Sequence, residues 1–292
     1  MNNEGPLPLL DRDAVLTGIR RLPSLPTVIV EFLHSIEDDS ADPRLLARQL
    51  ARDQALAAKV LRVANSSFYG FQGKIETIAD AFLVLGLQGV RTLAVGAALT
   101  SAFSLRPRDL SGTWDFDTAW RHSTAVALAA KSLAQRIGAS EGLAFVAGLL
   151  HDIGRLVLVS SFPQHTLAVI RAATHSAQET GWLFAERRTL GTDHAAIGQL
   201  LAEQWRFPRA LSEAIGSHHT PDANAGGLAP LIHVADLLGH AIERAGKQPG
   251  SFAPPPCDDD SWSAFRLGAD DWNVLARGVS AQLDAACSAF VA

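Results

Sequence analysis

The sequence predicts an all-α protein made of two packed helical halves. Apolar residues recur with the 3.6-residue spacing of amphipathic helices through most of the chain, and no segment shows the strict polar and apolar alternation that is typical of strands. Glycine, proline and short polar runs separate these periodic segments, as expected for helix ends. We expect one half over residues 11–110, a second over 111–245, and a loop with a terminal helix over 246–292.

The first half opens with a proline-flanked step, Leu22-Pro23-Ser24-Leu25-Pro26, before a helix that starts at Thr27. Asp42 and Pro43 have the residue types of an N-cap and a first helical position, and another helix follows Asp53. The predicted apolar stripe after Pro43 comprises Leu45, Leu46 and Leu50. These signals predict helix following helix, without strands between them.

Residues 75–99 continue the helical pattern, with a break at Gly86 and Gly89. The spacing would allow a helix-turn-helix that reads DNA. The second of its two helices carries only Arg91 as a charge, however, so packing is the favoured use of this segment.

Composition limits the function classes. The chain has 292 residues, of which 48% are hydrophobic and 19% charged, which is enough to bury a large core. Its net charge of -5 and its scattered basic residues argue against nucleic-acid binding. The first residues lack the features of a secretory leader, and no uninterrupted apolar run reaches the roughly 20 residues that span a bilayer. We therefore expect a cytoplasmic protein without a membrane partner.

The second half is predicted to begin with a helical hairpin. A helix runs from Thr118 to a C-terminal stop at Gly138, and Ser140 has the residue type that caps the next helix. At a rise of about 1.5 Å per residue, His122 before the turn and His151 after it lie level to within one helical turn. The two imidazoles can therefore face one another.

Two carboxylates interrupt apolar helices in this half. Asp152 falls within the apolar segment 140–160, and Asp236 falls within a later one. A buried carboxylate needs a partner, which is either a local hydrogen bond or a metal ion shared with other side chains. Further histidines lie at predicted helix ends in this half. Thr192 is predicted to cap a helix that begins near His194, and His218-His219 follow the end of another helix.

These residues carry a resemblance to a known family. The order of the histidines and aspartates is similar to the metal-binding signature of the HD hydrolase superfamily, in particular its HD-GYP branch, and the C-terminal half therefore resembles an HD helical bundle. Across about residues 20–240 the chain resembles the HDOD domain, the HD-related output domain of bacterial signalling. The sequence segments that carry this resemblance are Leu22-Pro23-Ser24-Leu25-Pro26, Ala64-Asn65-Ser66, Leu85-Gly86-Leu87, Trp120-Arg121-His122-Ser123, Ala147 to Gly154 and Glu186-Arg187 to Leu190-Gly191.

The resemblance implies a divalent transition metal, with one or two ions. Imidazole and carboxylate ligands without thiolates suit iron, manganese, zinc or nickel. Asp152 is expected to bridge, so that one ion takes His122, His151, Asp152 and Asp236 and the other takes Asp152, His194, His218 and His219. His233 is expected to orient Asp236, and the histidines predicted to lie on the surface are His34, His165, His175 and His240.

Two functions remain open from the sequence. The favoured one is a regulatory output module that binds a protein partner and whose metal site is structural, sensory or vestigial. The alternative is an active metal-dependent phosphohydrolase acting on a nucleotide or another phosphoester. Two departures from the HD-GYP pattern argue against cyclic dinucleotide hydrolysis, since Arg155 stands where lysine is usual and a Gly-Tyr-Pro segment is absent after His219. Arg155 is a candidate phosphate ligand, with a solvated helix arginine as the other interpretation.

Overall fold

The computed structural model describes residues 7–35, 41–71, 73–102, 114–173, 179–222, 227–245, 265 and 267–291. Helices account for the regular structure of these residues, which contain no strand, so the all-α prediction is confirmed. The helices are α1 (Arg12–Ile19), α2 (Thr27–His34), α3 (Pro43–Arg52), α4 (Gln54–Ala64), α5 (Ile78–Ala102), α6 (Phe116–Ile137), α7 (Glu141–Leu150), α8 (Ile153–Ser161), α9 (Pro163–Ala173), α10 (Glu179–Leu190), α11 (His194–Gln204), α12 (Arg209–Ser217), α13 (Leu228–Ala245) and α14 (Ala269–Val291). The predicted boundary near residue 110 lies outside the described residues.

The N-terminal helices begin where their caps predict. The Asp42 side chain accepts from the backbone N–H of Arg44, and the Asp53 side chain accepts from that of Leu56. Within the predicted stripe of α3, Leu46 and Leu50 are buried, but Leu45 is 48% exposed and does not belong to the core. The stripe of α3 is therefore narrower than predicted.

Two features fix the geometry around α5. Asn65 donates to the carbonyl of Ile75 at 2.7 Å and accepts from its N–H at 3.0 Å, which closes the loop between α4 and α5. Gly86 interrupts α5 with φ 71°, a left-handed value that glycine adopts without strain. Arg91 beyond this kink is fully buried, so the structure places its helix in the core, as the packing interpretation predicts.

The α6–α7 hairpin holds the first histidine pair level. Gly138 ends α6 in the left-handed conformation, and the Ser140 side chain caps α7. Gly148 packs directly on the backbone of Ala127, where a Cβ would lie 2.7 Å from the Ala127 Cα. Because these small residues let the two helix axes approach closely, the side chains at the open end of the hairpin meet.

The apolar segment 140–160 is not one continuous helix. Helix α7 ends at Leu150, the residues His151 and Asp152 form a turn, and α8 begins at Ile153. The expectation of a single helix was wrong because Asp152 has φ -96° and ψ 15°, which turns the chain. This turn directs both side chains of the His-Asp pair inward, where both residues are buried.

Helix α11 begins with a different cap from the one predicted. Asp193, not Thr192, is the N-cap of α11, and its side chain accepts from the N–H of Ala196. Arg187 also donates from Nε to Asp193 Oδ2 at 2.8 Å. Both residue types are good caps, so only the backbone path after α10 distinguishes them.

Helix α14 packs along α6 and ties the terminal segment to the bundle. Arg121 and Arg136 on α6 form ion pairs with Asp284 and Asp271 on α14, each at 2.6 Å. The terminal helix that was predicted within residues 246–292 is confirmed and spans Ala269–Val291.

Two stretches, 78–100 and 141–161, are long and apolar enough to cross a membrane by length and composition. The sequence had predicted no membrane span, because neither stretch is an uninterrupted apolar run. Their most apolar windows are 56% and 83% buried within the fold, respectively. That burial is typical of core helices in a globular protein.

Candidate metal centre

The structure brings the seven predicted ligands together. Each comes from the end or the inward face of a helix: His122 from α6, His151 and Asp152 from the α7–α8 turn, His194 from the start of α11, His218 and His219 from the end of α12, and Asp236 from α13. All are buried except His219, which is half-buried. The predicted convergence of loop ends and helix faces on one point is therefore present.

The first part of the cluster contains His122, His151 and Asp236. His122 Nε2 lies 3.0 Å from Asp236 Oδ1 and 3.3 Å from His151 Nε2. His151 Nε2 lies 3.6 Å from the same Asp236 oxygen. These three side chains each offer one ligand atom, and the three atoms lie within 4.8 Å of one another, as the ligands of a single ion do.

The second part contains His194, His218 and His219, whose ligand atoms also lie within 4.8 Å of one another. His194 Nε2 is 2.8 Å from His219 Nε2. Two imidazole nitrogens at this distance either share a proton or share a cation.

Asp152 lies between the two parts. Its Oδ1 faces the second part, at 3.0 Å from His194 Nε2 and 3.9 Å from His218 Nε2. Its Oδ2 faces the first, at 3.6 Å from His151 Nε2 and 4.0 Å from His122 Nε2. A carboxylate that presents one oxygen to each group has the placement that a bridging ligand needs.

Hydrogen bonds behind the rings determine which nitrogen of each histidine faces inward. The Nδ1 atoms of His151 and His218 lie 2.8 Å from the backbone carbonyls of Gly148 and Ile215. A carbonyl can only accept, so each Nδ1 carries the proton and each Nε2 lone pair points into the cluster. This outer contact is typical of histidines that bind metal ions.

Two carboxylates do the same for His194 and His122. Glu186 accepts from His194 Nδ1 at 2.6 Å, and Glu243 accepts from His122 Nδ1 at 3.0 Å. Burial raises the pKa of Glu243, but hydrogen bonds from His122 and His240 outweigh it and lower the pKa to about 2. Glu243 is therefore ionised and can only accept.

Several buried polar atoms at the centre of the cluster have no hydrogen-bond partner within the described part of the chain. They are Asp152 Oδ1, Asp236 Oδ1 and His218 Nε2. Histidine Nε2 atoms lie 3.0 Å from each of the two oxygens, His194 from Asp152 and His122 from Asp236. Such unpaired acceptors are costly in a dry interior, and a cation would satisfy all of them. The residues present thus fit a metal ion of the kind that nitrogen and oxygen ligands prefer.

The protonation states divide the histidines into two classes. Burial lowers the pKa of His122 and of His194, but Asp236 and Glu243 around His122, and Glu186 beside His194, outweigh burial and raise each pKa to about 9. Burial and the neighbouring imidazoles lower the pKa of His218 to about 3 and that of His219 to about 2. Without a cation, positive charge therefore resides on His122 and His194.

Three functional residues were missed by the sequence reasoning. Glu186 and Glu243 hold ligand histidines, and His240, which was predicted to lie on the surface, has its Nε2 3.3 Å from Asp236 Oδ1. The prediction for His240 was wrong because its side chain is only 17% exposed. Asp236, His240 and Glu243 stand at i, i+4 and i+7, a helical spacing that places them on one face and was readable in the sequence.

The other non-ligand histidines lie apart from the cluster where they are described. His34 is exposed, as predicted, and the His165 Nε2 lies 3.0 Å from the Pro8 carbonyl. His175 lies outside the described residues. His233 contacts the backbone carbonyl of His218 through Nδ1 at 2.7 Å. It therefore supports the segment that carries His218 and His219, and its expected role in orienting Asp236 stays a prediction.

Arg155 lies one helical turn beyond the His-Asp pair. Its Nη1 is 3.2 Å from Asp152 Oδ2, and its guanidinium lies 5.8 Å from the ring centroid of Trp182. The Trp182 indole N–H in turn donates to Glu186 at 3.0 Å. Arg155 is therefore held at the edge of the cluster by a carboxylate and an aromatic ring, where it can meet an anion.

A cavity of about 260 Å³ opens beside the cluster. Its charged and titratable lining residues are His122, Asp152, Arg155, His240 and Glu243. Its apolar lining includes Trp114, Phe116, Trp120, Leu149, Leu156 and Trp182. The cluster is therefore reachable from a pocket that has both charged and aromatic walls.

Known proteins resemble this chain in sequence and in fold. Residues 22–221 match the model of the HDOD domain family. A relative in Treponema pallidum, which bears the name uncharacterized protein, is 26% identical over 224 residues, which cover 75% of this chain and 42% of that protein. The chain thus spans less than half the length of this curated relative.

Two solved structures share the fold over nearly the whole chain. A signal transduction protein of Marinobacter aquaeolei, so named on a provisional basis, is 26% identical with a TM-score of 0.76, covering 96% of this chain and 66% of that one. A protein of Shewanella amazonensis, provisionally named a phosphohydrolase, is 26% identical with a TM-score of 0.71, covering 94% of this chain and 97% of that one.

Proposed function

Because the chain belongs to the HDOD domain family, we propose that it is a cytoplasmic regulatory output module of signal transduction that contains a two-ion metal site. The similarity to the Marinobacter aquaeolei protein, provisionally named for signal transduction, supports the regulatory role. The observation that carries the metal site is the convergence of histidine Nε2 atoms on the buried carboxylates of Asp152 and Asp236.

His122, His151 and Asp236 would hold one ion, His194, His218 and His219 the other, and Asp152 would bridge them. A bound divalent ion supplies Lewis acidity and can lower the pKa of a bound water. Glu186 and Glu243, which lie outside the ligand set, would keep the Nδ1 protons in place so that each Nε2 faces the ion. Iron, manganese, zinc and nickel all suit this ligand set.

In this role the ions would stiffen the part of the module to which a protein partner responds. The ligands come from four helices and one interhelical turn, so ions would couple segments that are far apart in sequence. Exposed apolar side chains near the Gly86 kink, Leu83 at 84% and Val84 at 46% exposure, are candidate contacts for the partner.

Hydrolysis of a phosphoester is the second candidate function. It is favoured by the cavity, which gives a small molecule access to Asp152 and Arg155, and by the similarity to the provisionally named phosphohydrolase. Arg155, held at 3.2 Å from Asp152, would contact the phosphate group.

One experiment separates the two functions. The protein is purified, its metal content is measured beside a His151→Ala control, and the metal-loaded form is incubated with a panel of phosphomonoesters and phosphodiesters. We expect the native chain to retain ions that the variant loses, without turnover of the panel. Turnover that disappears in the variant would favour the phosphohydrolase, whereas equal metal content in both proteins would refute the site.

A further inference from the structure

His240 has the same arrangement as the histidines that are predicted to bind metal. Its Nδ1 lies 3.3 Å from Glu243 Oε2, and its Nε2 lies 3.3 Å from Asp236 Oδ1. The Glu243 carboxylate accepts a hydrogen bond from this ring, which leaves Nε2 directed at Asp236. A carboxylate behind Nδ1 orients His122 and His194 in the same way.

Glu243 holds His122 and His240 as a pair. Its Oε1 lies 3.0 Å from His122 Nδ1, while its Oε2 faces His240. The two rings lie beside one another, with centroids 4.4 Å apart and planes inclined by 31°. Their Nε2 atoms lie 3.0 Å and 3.3 Å from the same oxygen, Asp236 Oδ1. Glu243 therefore directs both rings at the first ion, which is the ion proposed at His122, His151 and Asp236.

The spacing of side chains on α13 produces this arrangement. Asp236, His240 and Glu243 stand at i, i+4 and i+7, so they lie on one face of the helix. Two side chains at i and i+4 of a helix can bind the same ion, as paired histidines do in zinc proteins. His122 faces them from α6, which packs against α13.

A cation could also lie on the other side of these rings. His122, His240 and Glu243 each offer a ligand atom, and the three atoms lie within 4.8 Å of one another. A cation at Nδ1 would replace the hydrogen bonds that orient both rings, and it would not serve the buried carboxylate of Asp236. An ion at the Nε2 atoms keeps those hydrogen bonds and binds Asp236 as well.

We propose that His240 is a further ligand of the first ion, beside His122, His151, Asp236 and the bridging Asp152. This assignment rests on the proposed metal site and narrows it. Each ion then has three imidazole ligands, which favours zinc, iron or nickel over manganese. Catalytic zinc ions keep a position open for water, whereas structural ones are closed by the protein. A fifth protein ligand on the first ion therefore favours a structural role for that ion over hydrolysis.

A crystal structure of the full chain loaded with Zn²⁺ tests the assignment directly. We expect His240 Nε2 to lie about 2.0–2.1 Å from the first ion, the usual distance between zinc and a histidine nitrogen. A ring whose Nε2 contacts no ion, or an ion that is bound at Nδ1, would overturn the assignment.

Competition titrations with Zn²⁺ and Mn²⁺ on the native chain and on His240→Gln provide a second test. Glutamine keeps a donor that can reach Asp236, but it is a poor zinc ligand. We expect Zn²⁺ affinity to fall by roughly tenfold more than Mn²⁺ affinity, because imidazole suits zinc better than manganese. Glu186→Gln changes a hydrogen-bond partner outside the ligand set, so it should lower both affinities by the same factor. The exposed His34→Gln should change neither.

Equal losses for the two metals in His240→Gln, or no loss, would show that His240 only holds Asp236 in place. The native chain separates this failure from failure of the metal site. If it retains neither Zn²⁺ nor Mn²⁺, the metal site is refuted and the assignment of His240 with it. If it retains ions and either test gives the contrary result, the seven predicted ligands stand and only His240 is removed from the set.

Discussion

Glu186 accepts two hydrogen bonds from His194, one from its backbone N–H at 2.9 Å and one from its Nδ1 at 2.6 Å. The same carboxylate therefore holds the start of helix α11 and orients the ring that this helix presents to the cluster. Burial raises the pKa of Glu186, but the charge of His194 outweighs burial and lowers it, so the group is ionised in the fold.

Glu186→Gln should weaken metal binding by about 10–100-fold, the usual loss when an outer hydrogen-bond partner of a metal-binding histidine is changed. The amide keeps the volume but lacks the charge that holds His194 in its orientation. Competition titration with a chelating dye would measure the affinity. Glu213→Gln, an exposed change on α12, serves as the control, and equal affinities for the two variants would show that Glu186 has no part in ligand orientation.

Asp152→Ala should abolish binding of both ions while leaving helix content unchanged. The bridging oxygens are lost, but α7 and α8 are held by their buried apolar faces and not by the carboxylate. Plasma emission spectrometry and circular dichroism would report the two properties. Asp117→Ala, at the first turn of α6, lies outside the cluster and should retain the ions. A variant that keeps one full ion would contradict the bridge, though not the cluster.

Removal of metal should lower the melting temperature of the native chain. Ions present at 100 times their dissociation constant stabilise the folded state by about 2.7 kcal/mol. For a domain of this size that corresponds to a shift of roughly 5–10 °C. Differential scanning fluorimetry before and after chelation would measure it, and Asp152→Ala should show no shift under the same treatment.

Metal affinity should fall as pH is lowered from about 9 to 6.5. In the metal-free fold His122 and His194 have pKa values of about 9, so both carry a proton at pH 7 that must leave before Nε2 can bind. His218 and His219, with pKa values of about 3 and 2, are already neutral across this window. Calorimetry in buffers of different ionisation enthalpy should detect about two protons released per protein. Affinity that is constant across this pH range would contradict the assignment of charge.

Gly154→Ala should both destabilise the fold and disturb the site. A Cβ at this position would collide with the His194 carbonyl and would lie 2.7 Å from the Gly198 nitrogen, so α8 and α11 would have to separate. Overpacking of this kind costs about 1–3 kcal/mol. Gly278→Ala on α14 meets nothing within 4 Å and provides the matched control. Chemical denaturation would compare them, and equal unfolding midpoints would show that α8 can move without cost.

Local signals in the sequence were enough to predict much of this fold. Helix ends are set by contacts within a few residues, as at the caps Asp42, Asp53 and Ser140 and at the stop Gly138. The positions of these helix ends therefore do not depend on tertiary structure. The level pairing of His122 with His151 also followed from helix rise and a short turn. These are the features for which chain geometry alone determines the distance.

What the sequence did not predict depends on contacts between helices. Glu186 is a polar residue on an ordinary helix, and only the packing of α10 beside α11 gives it His194 as a partner. His240 could have been found from its spacing to Asp236, but its burial depends on α6, which brings His122 within a ring-centroid distance of 4.4 Å. The turn at Asp152 likewise arises where two helices must point to one site.

The ligands of the cluster are spread from His122 on α6 to Asp236 on α13. The contact between His122 and Asp236 closes a long loop, and such contacts carry a large loop-closure entropy. During synthesis the part of the cluster that contains Asp236 therefore cannot be complete until α13 has left the ribosome. An ion bound at that part would secure a bundle whose helices have already been made.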